Sequence, residues 1–205
     1  YDVLTAMEDA LTISGYLDPY YPGTVVVHAV GNGGPGYGSV TEPGYSTLVI
    51  SVGASTSMNW TKDAFGFAGG YYDDVISWSA RGPTALGVVK PDIVGIGAYG
   101  FAPTAVFQGL GDGANAFWIF GGTSMATPVV AGAAALVEQG FKESYGLSPT
   151  SDAVKLILKS TAVDLGYDSF VQGAGRVDCY QAVSLAMKRR GISVGSTATW
   201  DNVYN

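Results

Sequence analysis

From Gly113 to Val137 the chain runs without one charged side chain, and the stretch from Ser124 to Gln139 reads as a strongly apolar, Ala-rich helix. A helix with so little polar surface is stable only in the middle of a layered domain or inside a bilayer. Gly121, Gly122 and Pro128 interrupt the stretch, and Thr123, Ser124 and Thr127 add hydroxyls to it. A buried core helix with a Gly-rich lead-in therefore fits better than a membrane span. A second uncharged stretch, Ile93 to Gly111, is broken by Gly and Pro in the same way.

The segments around this helix specify what covers it. Thr24 to Val30 is a Val-rich run that reads as a buried strand and ends in the loop Gly31-Asn32-Gly33-Gly34-Pro35-Gly36. Thr47 to Val52 and the very short Asp92 to Val94 read as further buried strands. Asp2 to Tyr16 places Val3, Leu4, Met7, Leu11 and Ile13 close to one helical face. Gly15 and Asp18-Pro19 end that helix. Ser148-Pro149-Thr150 opens another helix with its body at Asp152 to Ser160. A Gly173-Ala174-Gly175 turn then precedes a last helix over Val177 to Lys188. Residues 56–74 read as a surface excursion, with Asp73-Asp74 at its exposed end. Buried strands alternating with helices predict an α/β fold, a parallel sheet flanked by helices.

The charge balance narrows the partners. A formal net charge of −7 offers no basic face for nucleic acid. The one basic cluster, Lys188-Arg189-Arg190, is accounted for as a solvated helix end. The single cysteine, Cys179, excludes an internal disulfide and is read as a small buried helix residue.

Two short runs carry chemistry. In Gly121-Gly122-Thr123-Ser124 a serine stands at a helix N-terminus, where free N–H groups and the helix dipole favour a developing oxyanion. On physical grounds alone, capping an apolar helix is an equally good account of Ser124. Asn32, between two glycines, is on its own better explained by a left-handed loop conformation than by a functional amide.

Gly121-Gly122-Thr123-Ser124-Met125-Ala126-Thr127-Pro128, followed by Val130 to Leu136, resembles the nucleophile segment of subtilisin-like serine proteases. Val25 to Gly34 resembles the strand and loop of that family that end in Ala-x-Gly-Asn. Glu42-Pro43-Gly44 with Val49 to Ala54, Ser77 to Pro83, Lys90 to Val94 and Gln172 to Asp178 extend the likeness along nearly the whole chain. The form of Gly33 to Gly38 and Gln172 to Asp178 looks closest to the pyrolysin-like branch. Gly95-Ile96-Gly97 departs from the usual Ala-Pro-Gly, and Val129 stands where histidine is frequent.

The resemblance implies a peptidase in which Ser124 is the nucleophile. Asn32 and the Ser124 N–H form the oxyanion hole, and Ala29, Gly31, Gly33, Thr41 and Glu42 line one side of the primary substrate pocket. It implies a peptide or protein substrate, an extracellular or cell-surface location and no required cofactor, and it leaves room for calcium at sites that these residues do not identify. Neither the family's Asp-Thr-Gly nor its His-Gly-Thr occurs. The only histidine, His28, lies in the Val-rich strand and is read as a core or wall residue. The expectation is therefore that residues 1–190 form the C-terminal part of a catalytic domain incomplete at its N-terminus. Residues 191–205 would begin a C-terminal extension, and an N-terminal segment of the same protease would supply Asp and His. The rival is a catalytically inactive module serving a structural or binding role. A flavodoxin-like binding domain is a weaker third, since Gly31 to Gly34 leads into no helix.

Overall fold

The computed structural model describes residues 2–56, 66, 73–98, 100–103 and 117–187. Most of the expected excursion at 56–74 and all of 191–205 lie outside them.

Three parallel strands, β1 (Val27–Ala29), β2 (Ile50–Thr56) and β3 (Ile93–Ala98), form a sheet in that order. Val27 pairs with Ile50, and Val52 with Ile93. β4 (Gly100–Pro103) and β5 (Phe117–Phe120) form an antiparallel pair that leads into the long helix. That helix, α2 (Thr123–Tyr145), lies across one face of the sheet beside α3 (Ser151–Ser160) and α5 (Cys179–Ala186). Ala126, Val130, Ala133, Ala134 and Val137 of α2 pack on Ile50, Val52 and Ile93 in one core. The short α4 (Ser169–Gln172) brings Val171 against Val75 and Val94 in a second cluster. The expected parallel sheet with flanking helices is the observed fold.

Local signals set most of the ends. Asp2 caps α1 (Val3–Thr12) by accepting from Thr5 N at 2.7 Å, and Thr150 caps α3 through Ala153 N. Gly146, at φ 75°, closes α2 by donating back to Lys142 O. Such a left-handed cap suits glycine, which has no Cβ to clash. α2 runs to Tyr145, past the expected Gln139, because nothing before Gly146 stops it.

Two expectations are corrected. The run from Thr24 to Val30 is strand only at Val27–Ala29, and those three residues are half-buried, because within the described residues β1 has a neighbour on one side only. Cys179 is likewise half-buried, at the first position of α5.

A charged cluster ties the N-terminal ends of β2 and β3 to α3. Lys90, 1 % exposed, donates to Asp92 Oδ2 at 2.7 Å and to Ser51 Oγ at 2.8 Å. Lys155 and Lys159 reach the same carboxylate at 3.1 and 3.2 Å. Burial pushes the Lys90 amine down to about 8, against the pull of Asp92. Burial also acts to raise the Asp92 carboxyl, but Lys90 and Lys155 beside it hold it below its ordinary range.

Candidate active site

The site gathers at the C-terminal ends of the strands, where open α/β sheets place their ligands. β1 runs through Val30 into Gly31, whose φ of 104° turns the chain outward at Asn32. The segment after Ser77 grips this loop. Gly31 O accepts from Ala80 N at 3.0 Å, Gly34 N donates to Trp78 O at 3.0 Å, and Ser39 N donates to Arg81 O at 3.0 Å. A Cβ on Gly34 would lie 2.2 Å from Ser79 O, so only glycine lets the two backbones meet this closely.

The turn that carries Ser124 is held from beneath by β3. Gly122 N donates to Gly97 O at 2.8 Å. A Cβ on Gly97 would lie 2.6 Å from Gly122 O and 3.0 Å from Ala126 Cβ, and one on Gly95 would lie 2.8 Å from Ala126 O. Gly95-Ile96-Gly97 thus lies within β3, and its glycines let α2 begin directly on the strand.

Asn32 and the helix entry are joined through Thr123. Asn32 Oδ1 accepts from Thr123 N at 2.9 Å and from Thr123 Oγ1 at 3.0 Å. A backbone N–H can only donate, so the amide oxygen must face Thr123 and Nδ2 must face away from it. At the start of α2, Met125 N is taken by Gly122 O and Thr123 N by Asn32. The Ser124 N–H has no partner among the described hydrogen bonds, as expected of one of the first four donors of a helix. The position of a Cβ built on Gly122 lies 3.6 Å from Ser124 N and 3.7 Å from Asn32 Nδ2. Two donors without partners among the described residues thus lie close to one point, which glycine at 122 leaves unfilled. Ser124 itself is solvent-exposed.

Residues 41–44 fold back on the end of β1. Thr41 N donates to Val30 O at 3.0 Å, and its Oγ1 would lie 2.7 Å from a Cβ on Gly31. Gly44 nestles against Ala29 O, at 3.2 Å from its own would-be Cβ. Ala29, Gly31 and Thr41 are therefore brought together. Gly33 turns toward Ser39, and Glu42 follows Thr41 on the exposed surface. His28 Nε2 meets Glu8 Oε1 at 3.0 Å with its side chain 31 % exposed. It is a half-buried wall residue, and its polar partner is α1, not Ser124. Sequence reasoning missed the role of Thr123. Its place in the Gly-Gly-Thr-Ser run was the available signal.

Among the described residues no group of three or more His, Cys, Asp or Glu is arranged to hold a metal ion. No described helix is long and apolar enough to cross a membrane.

The family model for the subtilase family matches residues 7–175. The serine protease AprX of Bacillus subtilis (strain 168) is 36 % identical over 168 residues, covering 78 % of this chain and 35 % of that protein. Pyrolysin of Pyrococcus furiosus is 32 % identical over 212 residues, covering 89 % of this chain and 14 % of that protein. Among solved structures, the prenylagaramide maturation protease PagA superposes with a TM-score of 0.58 at 20 % identity, over 81 % of this chain and 51 % of that one. A lanthipeptide protease gives 0.58 at 24 % identity, over 78 % and 50 %. At these identities the structural likeness speaks for the fold. The chain spans about a third of AprX and a smaller part of pyrolysin.

Proposed function

The chain belongs to the subtilase family, and we propose that it is the nucleophile-bearing part of a serine endopeptidase whose aspartate and histidine come from an N-terminal segment of the same protease. The single observation that carries the reading is that Asn32 Nδ2 and Ser124 N, neither with a hydrogen-bond partner among the described residues, lie 3.7 and 3.6 Å from one point beside Gly122.

In this mechanism Ser124 Oγ attacks the scissile carbonyl carbon while its proton passes to the histidine of the N-terminal segment. The carbonyl oxygen becomes an oxyanion between Asn32 Nδ2 and the Ser124 N–H, fixed donors that need no reorganisation as charge develops. Collapse expels the amine, which takes up that proton and leaves an acyl group on Ser124 for water to remove. Ala29, Gly31, Gly33, Thr41 and Glu42 line one wall of the pocket for the residue before the scissile bond, and no cofactor takes part. An extracellular or cell-surface location belongs to the same proposal. An inactive structural module would need neither donor, and their alignment argues against it.

A serine hydroxyl without a base is a weak nucleophile, so reactivity separates the two readings. A fluorophosphonate should label Ser124 when the polypeptide encoded upstream of Tyr1 is co-expressed with the chain, and Ser124→Ala should abolish the label. Equal labelling of the chain alone would overturn the two-part account. No labelling in either case would favour the inactive module.

A further inference from the structure

The loop that carries Asn32 is closed at its base and pinned at its tip. At the base, Thr41 N and Thr41 Oγ1 both donate to Val30 O, at 3.0 and 3.3 Å. Toward the tip, Gly33 to Gly38 contains four glycines, so its only side chains are those of Pro35 and Tyr37. Such a run has much backbone freedom to lose, and an anchor within it restrains more than it would in a stiffer chain. Tyr37 supplies that anchor. Its hydroxyl donates to Asp168 Oδ2 at 2.6 Å, across 131 residues of sequence, and its ring meets Phe170 edge-on at 6.4 Å. Tyr37 is 59 % exposed, so burial contributes little and the hydroxyl is what holds it.

Asp168 is oriented to receive this bond. Its Oδ1 caps α4 by accepting from Phe170 N at 2.8 Å, which leaves Oδ2 for the phenol. The Tyr37 hydroxyl is the first cause that holds the Asp168 carboxyl below its ordinary range, and Asp168 in turn raises the phenol. Donor and acceptor therefore keep the required states across neutral pH. Behind Asp168, α4 is stitched to β3. Val171 packs on Val94, Ala174 N donates to Asp92 O at 2.9 Å, and Val94 N donates to Gly175 O at 2.9 Å. Gly97 of the same strand supports the Ser124 turn through Gly122 N. The Tyr37–Asp168 pair thus completes a circuit that runs from the Asn32 loop through α4 and β3 to Ser124.

We propose that Tyr37 and Asp168 form a latch that holds the Asn32 loop in register with the Ser124 turn, which makes Tyr37 a positioning residue for the proposed oxyanion donor. The kinetic consequence rests on the two-part reading above, whereas the restraint on the loop stands without it. A loop released at its tip would let Asn32 Nδ2 drift from the point it shares with the Ser124 N–H, and stabilisation of a developing charge depends on fixed donors. The loss should therefore fall on kcat more than on KM.

The test uses the chain co-expressed with the polypeptide encoded upstream of Tyr1. Tyr37→Phe removes only the hydroxyl. Asp168→Ser keeps a helix cap but is too short to reach Tyr37 as well. Tyr21→Phe, which loses a hydroxyl bonded to Leu11 O at 3.1 Å, is the control. Hydrogen exchange is read at the amides of Gly34, Gly38, Ser39 and Thr41, each a donor in the folded loop, and kcat and KM are read on a p-nitroanilide peptide. Both latch variants should speed exchange at these amides by about tenfold and leave that of α2 unchanged. They should lower kcat by roughly three- to tenfold, about the worth of one hydrogen bond, with KM held within about twofold. The double variant should be no worse than either single one, and Tyr21→Phe should change nothing. Unchanged exchange in the loop overturns the latch, and so does lost protection throughout α2, since the pair would then support the whole fold. In a complex that a fluorophosphonate labels at Ser124, faster exchange with kcat unchanged, or a rise in KM alone, also overturns it. Faster loop exchange in a complex that is not labelled leaves the latch standing and removes the catalytic reading. A labelled complex indifferent to both variants does the reverse.

Discussion

Thr123 donates both its backbone N–H and its hydroxyl to Asn32 Oδ1, at 2.9 and 3.0 Å, across 91 residues of sequence. The pairing fixes which end of the amide is free, and so makes Thr123 a positioning residue for the proposed oxyanion donor. In the active complex, Asn32→Ala should lower kcat by about 100- to 1,000-fold with little change in KM, the usual size for a lost oxyanion donor and one familiar from this family. Thr123→Val keeps the shape and the N–H but loses the hydroxyl. It should lower kcat by roughly tenfold, about the worth of one hydrogen bond, and Thr123→Ser should restore it. A rise in KM at constant kcat for Asn32→Ala would show that the amide binds substrate instead.

Gly97 is where β3 meets the turn that carries Ser124. Gly97→Ala puts a methyl group 2.6 Å from Gly122 O and 2.8 Å from Ala54 Cβ. Backbone cannot yield as a flexible side chain can, so the substitution should destabilise by about 1–3 kcal/mol. It should also reduce kcat, because the turn carrying Ser124 must shift. Thermal midpoint and turnover measured together check this. An unchanged midpoint would show that the strand and helix are less closely engaged than described.

Thr41 narrows the space beside Gly31. In the active complex, Thr41→Gly should raise kcat/KM for substrates with a large aromatic residue before the scissile bond. The gain over alanine substrates should be about tenfold or more, on the scale of one methylene of pocket space. A set of p-nitroanilide peptides differing only at that residue measures it. An unchanged ratio would place the pocket wall elsewhere.

The lysine cluster gives a pH dependence of stability. Lys90 titrates near 8 when folded against an ordinary 10.5, so between these values the unfolded chain binds more protons than the folded one. Stability then rises with pH across that window, because the unfavourable burial of the ammonium is relieved by deprotonation. Lys90→Met should flatten the rise when the thermal midpoints of parent and variant are subtracted at each pH. Asp92, whose pKa is also lowered on folding, gives a rise of the same sign at acid pH. Its lowered pKa gives stability that is present above its ordinary value of 3.8 and lost as pH falls through the folded value. A midpoint difference constant from pH 8 to 10.5 would show that Lys90 is not the titrating group.

The sequence by itself determined the elements whose causes are local. Asp2 and Thr150 mark helix starts because a cap acts within one turn, and the uncharged run around Ser124 requires burial whatever surrounds it. It also singled out Ser124 and Asn32 as candidates, since each stands in a short run that resembles its counterpart in the family. Tertiary structure decided what depends on chain segments returning to one another. Thr123 reads as a neighbour of the nucleophile until Asn32 arrives from 91 residues away, and Lys90-Pro91-Asp92 gives no sign that Lys155 and Lys159 share its carboxylate. The same limit explains α1 and β1. Helical spacing shows that Val3, Leu4, Met7 and Leu11 share a face, and a valine run shows that a strand favours burial. Periodicity carries no information about which partner covers either one, and that depends on where the rest of the polypeptide lies.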